Sequence, residues 1–234
     1  MTQALVSIIV PVYNEAELIA GVLSCLASFL PSVTSEYEII VCDNGSTDAT
    51  ASIVNQYMQQ NPRVRSVYYP APNYGRAIQQ GFAAARGEYL VILNADWCDT
   101  DFIARSLSML QDGEDLVLGS KNHAASNGYR YDHRPFLRRI ITKFYNALVR
   151  RWFGIPFSDT HGLKAAKRTQ MSSVVASIGA NRELFDTELV IRCYRLGLRI
   201  TEIPVEAREV RPARLSVARR SVRFAKDWWL LRRM

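Results

Sequence analysis

Two short polar segments, each following an apolar and β-branched run, carry side chains that could bind a nucleotide. In the first, Pro11-Val12-Tyr13-Asn14-Glu15, the Tyr13 ring could lie along a nucleobase while the Glu15 carboxylate accepts hydrogen bonds from it. The alternative is structural: Asn14 would cap a helix that begins at Glu15. The segment by itself leaves both interpretations open.

The second segment, Asp43-Asn44-Gly45-Ser46-Thr47-Asp48, stands between a predicted strand and a predicted helix. Asp43 could accept hydrogen bonds from the N–H groups of a nucleobase. In the alternative without a ligand, Ser46 or Thr47 caps the helix and Gly45 permits a tight turn. This segment, too, is compatible with both interpretations when it is taken alone.

The elements that must position these segments alternate along the first half of the chain. Apolar, β-branched runs predict strands over residues 7–13, 38–43, 64–69, 89–94 and 116–120. Helical spacing of apolar residues predicts helices over residues 15–29, 47–59, 75–86 and 101–110. This alternation predicts an α/β fold with a mostly parallel sheet and helices on both faces. Because ligands of such sheets bind beyond the carboxyl ends of the strands, the loops at 13–15, 43–48 and 94–99 are the expected site.

The second half of the chain differs in charge. Residues 1–120 hold 5 basic and 13 acidic side chains, whereas residues 121–234 hold 24 basic and 9 acidic ones, within a net charge of +7. After a polar loop, the pattern predicts helices over 136–153 and 183–196, a strand over 199–205 and a helical tail over 215–234. In that tail one wide arc is apolar, with Trp228 and Trp229, and the rest is basic except for Asp227, while Leu230 and Arg232 break the pattern in the final turn. This pattern is typical of a helix lying in a membrane interface, although the same face could pack on the protein's own sheet.

Composition excludes several classes of protein. A chain of 234 residues with 48% hydrophobic and 22% charged residues is expected to fold as one domain, or as one domain with a small appendage. No run approaches the roughly 20 apolar residues of a membrane-spanning helix, and the first residues lack the basic region of a secretion signal. Four dispersed cysteines and three dispersed histidines give no zinc spacing, and we expect reduced thiols in the cytosol. Nucleic-acid binding is disfavoured, because the basic helices carry apolar faces rather than aromatic stacking platforms.

In combination, these segments resemble those of a known family. The order and spacing of Ser7-Ile8-Ile9-Val10-Pro11-Val12-Tyr13-Asn14-Glu15, Asp43-Asn44-Gly45-Ser46-Thr47-Asp48-Ala49-Thr50, Asn73-Tyr74-Gly75 and Asn94-Ala95-Asp96 are similar to those of the inverting family 2 glycosyltransferases. The resemblance is strongest to the polyprenol-phosphate sugar synthases, typified by dolichol-phosphate mannose synthase. It holds over residues 5–121 and continues more loosely through Asp159, residues 185–188 and residues 202–205. It implies a GT-A-type, Rossmann-like fold with a mostly parallel central sheet, to which basic amphipathic C-terminal helices are added.

The resemblance also implies which residues hold a nucleotide-sugar donor, linked to GDP or UDP. The base would be held by Pro11, Tyr13, Glu15, Val41 and Asp43. The rest of the donor would be held by Asn73, Asn94, Ala95, Asp96, Lys121 and Arg211. Arg211 matches the arginine of the family's late R-x-x-G-x-S segment, in which Arg214 here replaces the glycine.

The family's Asp-x-Asp motif maps onto Asn94-Ala95-Asp96, where a divalent metal, Mg²⁺ or Mn²⁺, meets the sugar diphosphate. Such a hard cation, bound by oxygen ligands, would neutralise the departing diphosphate. Here Asn94 replaces the first aspartate and Cys98 stands where relatives often have a glutamine. Asp96 is therefore the expected metal ligand and catalytic residue, with Asp99 or Asp101 as substitutes for the missing carboxylate. The departure also leaves open a catalytically silent, nucleotide-sugar-binding protein.

The acceptor determines which further groups the reaction needs. A sugar hydroxyl must lose a proton as it attacks, which requires a carboxylate base, whereas a lipid phosphate is already an anion and needs cations that position it. Asp159 and Glu188 are the candidates for a base or for organising those cations, although Glu188 could equally be a helix-start carboxylate. The cations expected around a lipid phosphate are Arg134, Arg138 and Arg214. The Gln-x-x-Arg-Trp motif of processive polysaccharide synthases is absent.

The expected activity is transfer of a mannose- or glucose-type sugar from a nucleotide donor to a polyprenyl or dolichyl phosphate, with inversion. The alternatives are a hydroxyl acceptor, on a glycan or a small molecule, and a silent subunit. We expect a catalytic domain over residues 1–210 and a basic amphipathic tail over 211–234 that is not an independent domain. The protein would be peripheral on the cytoplasmic face of a membrane, and an oligomer is compatible with the sequence.

Overall fold

A computed structural model describes residues 5–96, 98–123, 136–179 and 184–205. Within these ranges, seven strands form one sheet: β1 Val6–Val12, β2 Tyr37–Asp43, β3 Val64–Tyr68, β4 Tyr89–Ile92, β5 Leu116–Ser120, β6 Leu163–Lys167 and β7 Ile200–Pro204. Their order across the sheet is β3-β2-β1-β4-β6-β5-β7. Only β6 runs antiparallel to its neighbours among these described strands. The predicted mostly parallel α/β sheet is confirmed.

Helices cover both faces of this sheet. The described helices are α1 Ile19–Phe29, α2 Thr50–Gln60, α3 Tyr74–Ala84, α4 Thr100–Gln111, α5 Phe136–Phe153, α6 Arg168–Ser177 and α7 Phe185–Arg195, and a short 3-10 turn spans Leu30–Ser32. Apolar residues of α1, α2 and α4 pack on one face of the sheet, around Ile8 and Val10. Those of α3, α5, α6 and α7 pack on the other face, around Ile9 and Ile40. Alternate residues of a central strand thus belong to two cores, because successive side chains of a strand point to opposite faces of the sheet.

The strand β6 and the helix α6 were not predicted from the sequence. The β6 segment, Leu163-Lys164-Ala165-Ala166-Lys167, lacks β-branched residues, yet it lies inside the sheet between β4 and β5. Its buried Lys164 is paired with Asp186 of α7 at 2.9 Å. The α6 helix does have a sequence signal, since Met171, Val174 and Val175 are buried and have helical spacing.

Because β6 is antiparallel, its first residue lies at the same edge of the sheet as the last residues of β1, β2, β4, β5 and β7. A Cβ added to Gly162, just before β6, would lie 1.6 Å from the carbonyl oxygen of Gly119 in β5. Only glycine permits this approach. The loop that precedes β6 therefore joins the loops that follow the parallel strands at this edge, which we call the carboxyl edge.

Among the described residues, every helix is too short or too polar to span a lipid bilayer. The tail predicted over residues 211–234 lies outside the described residues, and so do Arg134, Arg211 and Arg214. The boundary at residue 210 stays a prediction.

Candidate functional site

The two polar segments at the ends of β1 and β2 bind each other. The Asn14 backbone, with a φ of 53°, donates its N–H to Ser46 Oγ at 3.0 Å, and Asn14 Oδ1 accepts from the Thr47 N–H at 2.7 Å. The Glu15 N–H donates to Thr50 Oγ1 at 2.7 Å. The two segments are therefore one rigid unit. The predicted caps are wrong, because Asn14, Ser46 and Thr47 link the loops, while α1 begins at Ile19 and α2 at Thr50.

Asp43 lies at the floor of this unit and is 4% exposed. Its Oδ1 accepts a hydrogen bond from the Ser46 N–H at 2.9 Å, and its Oδ2 has no further partner among the described residues. Gly45 permits the turn with a φ of 78°, and a Cβ there would lie 3.2 Å from the Pro70 carbonyl carbon. One oxygen of Asp43 thus fixes the turn, and the other can accept a hydrogen bond from a ligand.

The other residues predicted to hold the base differ in accessibility. Pro11 and Tyr13 are partly exposed, and Glu15 is 8% exposed. Val41 is fully buried among the apolar residues of the first core, so its side chain supports the floor rather than lining a surface. Asp48, on the rim of the unit, accepts from Thr50 and from the Ala16 N–H. Burial raises the pKa of Asp48, but these hydrogen bonds outweigh burial and lower it below its ordinary value.

Asn73 joins the same unit from the start of α3. Its N–H donates to Asn44 Oδ1 at 2.6 Å, and its own Oδ1 caps the helix by accepting from the Arg76 N–H at 3.2 Å. Asn44 is in turn held by its backbone N–H, which donates to the Val12 carbonyl oxygen at 2.9 Å. Residues from three separate motifs are therefore brought together by direct hydrogen bonds.

The loop after β4 places Asp96 and Asn94 at the carboxyl edge, both partly exposed, with Ala95 buried between them. The two acids that follow are used within α4. Asp99 caps that helix by accepting from the Phe102 N–H at 2.8 Å, and Asp101 pairs with Arg105 at 3.1 Å. Asp99 and Asp101 therefore serve the helix, and Asp96 is the remaining carboxylate of this loop, partly exposed at the carboxyl edge.

Cys98 is not suited to bind a cation in this loop. Burial raises the pKa of its thiol well above the ordinary 9.0, and the neighbouring Cys25 thiol and the Asp99 charge raise it further. A thiol is also a soft ligand, whereas Mg²⁺ and Mn²⁺ prefer oxygen ligands. Within the ranges that the structure describes, no three acidic, histidine or cysteine side chains converge on a metal position. The donor set fits a cation that is shared with a diphosphate, as Mg²⁺ commonly is, rather than one that the protein holds alone.

On the opposite side of the site, the loop before β6 is held by Glu202 of β7. Its Oε1 and Oε2 both accept from the Ser158 N–H at 2.9 Å, and Oε1 also accepts from Ser158 Oγ at 2.7 Å and from the Asp159 N–H at 3.1 Å. Ser158 Oγ lies 2.7 Å from Ser120 Oγ, at the end of β5. One carboxylate thus ties together β7, β5 and the loop.

Asp159 points its carboxylate to the end of β5. Its Oδ2 accepts from Asn122 Nδ2 at 3.1 Å, and its Oδ1 accepts from the His161 N–H at 3.0 Å. The side chain is 8% exposed, and the partly exposed Lys121 precedes Asn122. The structure therefore brings Asp159 into the same loop cluster as Lys121.

Glu188 has a different setting. It lies in the first turn of α7, is 3% exposed and pairs with Arg192 of the next turn at 2.7 Å. Its Oε1 also accepts from the Gly179 N–H at 3.4 Å, and its position in the first turn is that of a helix-start carboxylate. Of the two predicted acids, Asp159 is the one that the structure joins by hydrogen bonds to the loop after β5.

Several residues of the site were missed by sequence reasoning. Glu202 lies within a segment included in the family resemblance, but no role was assigned to it. Its signal in the sequence is weak: a half-buried acid in the middle of the short strand β7. Lys164 and Asp186, both nearly fully buried, form an ion pair under the loop, and Lys164 Nζ also donates to the Gly162 carbonyl oxygen at 2.8 Å. Burial and then the Asp186 charge raise the pKa of the neighbouring Tyr74 well above its ordinary value.

Comparison with known proteins identifies the family of this chain. The model of the family described as Glycosyl transferase family 2 matches residues 7–171. Glycosyltransferase AglD of Haloferax volcanii is 29% identical over 97% of this chain, which spans 37% of that protein. Dolichyl-phosphate beta-glucosyltransferases of Dictyostelium discoideum and Saccharomyces cerevisiae are 26% and 27% identical over 94% and 97% of this chain, which spans 72% and 73% of their lengths.

Solved structures of similar fold include glucosyl-3-phosphoglycerate synthase from Mycobacterium tuberculosis. Its complex with uridine diphosphate superposes with a TM-score of 0.67 at 24% identity, covering 91% of this chain and 74% of that one. Its complex with Mn²⁺, uridine diphosphate and phosphoglyceric acid has a TM-score of 0.67 at 23% identity, covering 89% and 72%. At this identity the likeness establishes the fold.

Proposed function

Because this chain belongs to glycosyl transferase family 2, we propose that it transfers a hexose, of the glucose type, from a nucleotide sugar to a polyprenyl phosphate. The observation that supports the proposal is that the buried Asp43, whose Oδ1 accepts from the Ser46 N–H after β2, lies at the same edge of the sheet as the partly exposed Asp96 after β4. Relatives named dolichyl-phosphate beta-glucosyltransferases support a lipid phosphate as acceptor and favour glucose over mannose. The uridine diphosphate bound by the solved neighbours supports a UDP-linked donor.

The donor half of the site acts by binding and orientation. Asp43 Oδ2 accepts a hydrogen bond from the nucleobase, while the bond from the Ser46 N–H to Oδ1 keeps the carboxylate in place. The partly exposed Tyr13 and the buried Glu15 flank the base. Asp96 lies after β4 and would hold a divalent cation, Mg²⁺ or Mn²⁺, against the diphosphate. That cation, when bound, stabilises the charge that develops on the leaving group.

The acceptor half needs no strong base if the acceptor is a phosphate. An oxygen of the anionic lipid phosphate attacks the anomeric carbon from the side opposite the diphosphate, the new C–O bond forms, and the bond to the nucleoside diphosphate breaks with inversion. The protein's contribution is to hold the two anions in line, which lowers the entropic part of the barrier. Lys121 is the described cation of this cluster, and Arg134, Arg138, Arg211 and Arg214 are proposed to complete it.

The test is a donor panel with purified polyprenyl phosphate, in which the lipid-linked sugar is extracted and measured. UDP-glucose is expected to give product, and GDP-mannose is expected to give little. If product forms only when the acceptor is a glycan or small-molecule hydroxyl, the proposal of a lipid acceptor is wrong. Asp159 would then be assigned as the base. Nucleotide binding in calorimetry with no transfer from any donor would identify a silent subunit.

We further propose that the chain acts at the cytoplasmic face of a membrane, where a lipid acceptor is accessible to a cytosolic donor. The basic amphipathic pattern over residues 211–234 supports this proposal. A catalytic domain over 1–210, with that segment as its appendage, is part of the same proposal.

A further inference from the structure

We propose that the outward face of α5 is a docking surface for an anionic lipid bilayer. The proposal rests on the proposed function, because it is a lipid acceptor that makes a membrane the relevant partner. We define the outward face by the residues that lie on the side of α5 away from the sheet, namely Ile140, Phe144, Ala147 and Arg151, with Lys143 and Arg150 on one flank and Leu148 and Trp152 on the other.

The two sides of α5 are clearly distinct. At about 100° per residue, Tyr145, Asn146, Val149 and Phe153 lie on one side of the helix, and all four are at least partly buried against the second core or its loops. The residues of the outward face lie on the opposite side. There Ile140 is 46% exposed and Phe144 is 64% exposed. An apolar stripe thus points away from the protein.

The charge of α5 indicates which partner fits this stripe. The helix contains five lysine and arginine residues and no aspartate or glutamate. Lys143, Arg150 and Arg151 are exposed beside Phe144, and Trp152 is 52% exposed at the far end. Apolar side chains with a basic border and an aromatic residue favour the interface of a bilayer that contains acidic headgroups. A neutral protein groove would account for the apolar side chains but not for the three basic residues beside them, Lys143, Arg150 and Arg151.

The inner side of α5 connects this surface to the site. Asn146 Nδ2 donates to the Ser158 carbonyl oxygen at 2.9 Å, and the Tyr145 hydroxyl lies 2.9 Å from Thr187 Oγ1. Ser158 precedes Asp159 and is bound by Glu202. A helix with its side chains is about 10 Å across. A bilayer against the outward face would therefore hold the headgroup region about one helix diameter from the acceptor loop, where a lipid-linked phosphate has to arrive.

The experiment measures flotation of the full chain with vesicles of phosphatidylcholine, with and without phosphatidylglycerol. The variants are Phe144→Ser and the double change Arg150→Gln with Arg151→Gln. Matched controls are Tyr68→Ser, an equally exposed aromatic residue on the edge strand β3, and Arg86→Gln, an exposed arginine before β4. Phe144→Ser is expected to weaken binding about tenfold, and loss of the two cations about 10- to 30-fold at low salt. Both controls should bind as the unchanged chain does, and salt should abolish the difference made by the arginines.

Equal binding by all variants, or equal binding to vesicles without the acidic lipid, would overturn the proposal. A dimer that Phe144→Ser dissociates in sedimentation would assign the face to a second copy of the chain. A lowered melting temperature with unchanged flotation would assign it to another part of the same chain.

Transfer to a short-chain, water-soluble polyprenyl phosphate separates this proposal from the proposed function. The variants should retain that transfer, and its absence from the unchanged chain would refute the proposed function, whatever the vesicle result.

Discussion

The side chain of Glu202 holds the backbone of Asp159, since Glu202 Oε1 accepts from the Asp159 N–H at 3.1 Å and both of its oxygens accept from the preceding N–H of Ser158. The two residues are 43 positions apart in sequence and belong to different elements. The backbone that carries the Asp159 carboxylate is thus held by a second carboxylate from β7. The orientation depends on the charge of Glu202, because charge-assisted hydrogen bonds are about twice as strong as neutral ones.

The first prediction concerns this positioning residue. Glu202→Gln keeps the shape but replaces one acceptor oxygen with an amide group that cannot accept the shared bond from Ser158. We expect kcat to fall about tenfold, with the donor KM and the melting temperature little changed, because a group misplaced by about 1 Å disrupts the reacting geometry more than the fold. Glu36→Gln, an exposed glutamate before β2, is the control. A parallel loss of donor binding and stability would mean that Glu202 is only structural.

The second prediction concerns the cation site. Asp96→Ala should abolish transfer, by a factor of more than about a hundred, because it removes the carboxylate that we expect to hold the cation. Asn94→Asp should retain or raise activity, since it adds a carboxylate beside the first. The measurement is initial rate against Mg²⁺ or Mn²⁺ concentration, with Asp112→Asn at the end of α4 as the control. Turnover that survives a strong chelator would contradict the metal assignment.

The third prediction concerns the base. Asp43→Asn preserves an oxygen that can accept from the Ser46 N–H but removes the negative charge available to the base. We expect the affinity for uridine diphosphate in calorimetry to fall roughly 10- to 150-fold, the effect of losing a charge-assisted hydrogen bond of about 1.5–3 kcal/mol. Asp48→Asn, on the rim, should instead lower stability. If a folded Asp43→Asn variant binds nucleotide normally, Asp43 is a turn residue and no more.

The fourth prediction concerns stability and pH. Glu38, 7% exposed at the start of β2, accepts hydrogen bonds from Ser7 Oγ, the Arg86 N–H and the Arg65 guanidinium. Burial raises the pKa of Glu38, but these bonds outweigh it and lower the pKa below the ordinary value of 4.5. The carboxylate therefore stabilises the fold fully above pH 4.5, and this contribution is lost as the pH falls through the lowered pKa.

Urea titrations at pH values from neutral to below 4.5 measure how much Glu38 stabilises the fold. Glu38→Gln should lower the free energy of unfolding by about 1–3 kcal/mol at neutral pH, and the difference from the unchanged chain should shrink in acid. A difference that stays constant from neutral pH to below pH 4 would show that the pKa of Glu38 is not lowered in the folded protein.

The sequence predicts the strands and loops around Asp43 and Asp96 better than the loop around Asp159. Apolar, β-branched runs predict β1, β2 and β4, and the rule that ligands bind beyond strand ends selects the loops that contain Asp43 and Asp96. The role proposed for Asp96 comes from the family resemblance. In contrast, the bond between Glu202 and Asp159 depends on β7 pairing with β5, a contact between distant segments that leaves no local pattern. The strand β6 was missed because its segment lacks β-branched residues and contains Lys164, whose partner Asp186 belongs to a later helix.

The antiparallel pairing of β5 with β6 has a consequence for how acceptor preference can change. Since Gly119 is paired with Leu163, the chain leaves and re-enters the sheet at neighbouring positions, so that the intervening residues form an enlarged hairpin loop carrying α5. Doubling the length of such a loop costs only about 0.6 kcal/mol in closure entropy. A graft between these two positions would therefore change the segment that we propose to meet the acceptor and the membrane, while the strands that carry Asp43 and Asp96 stay as they are.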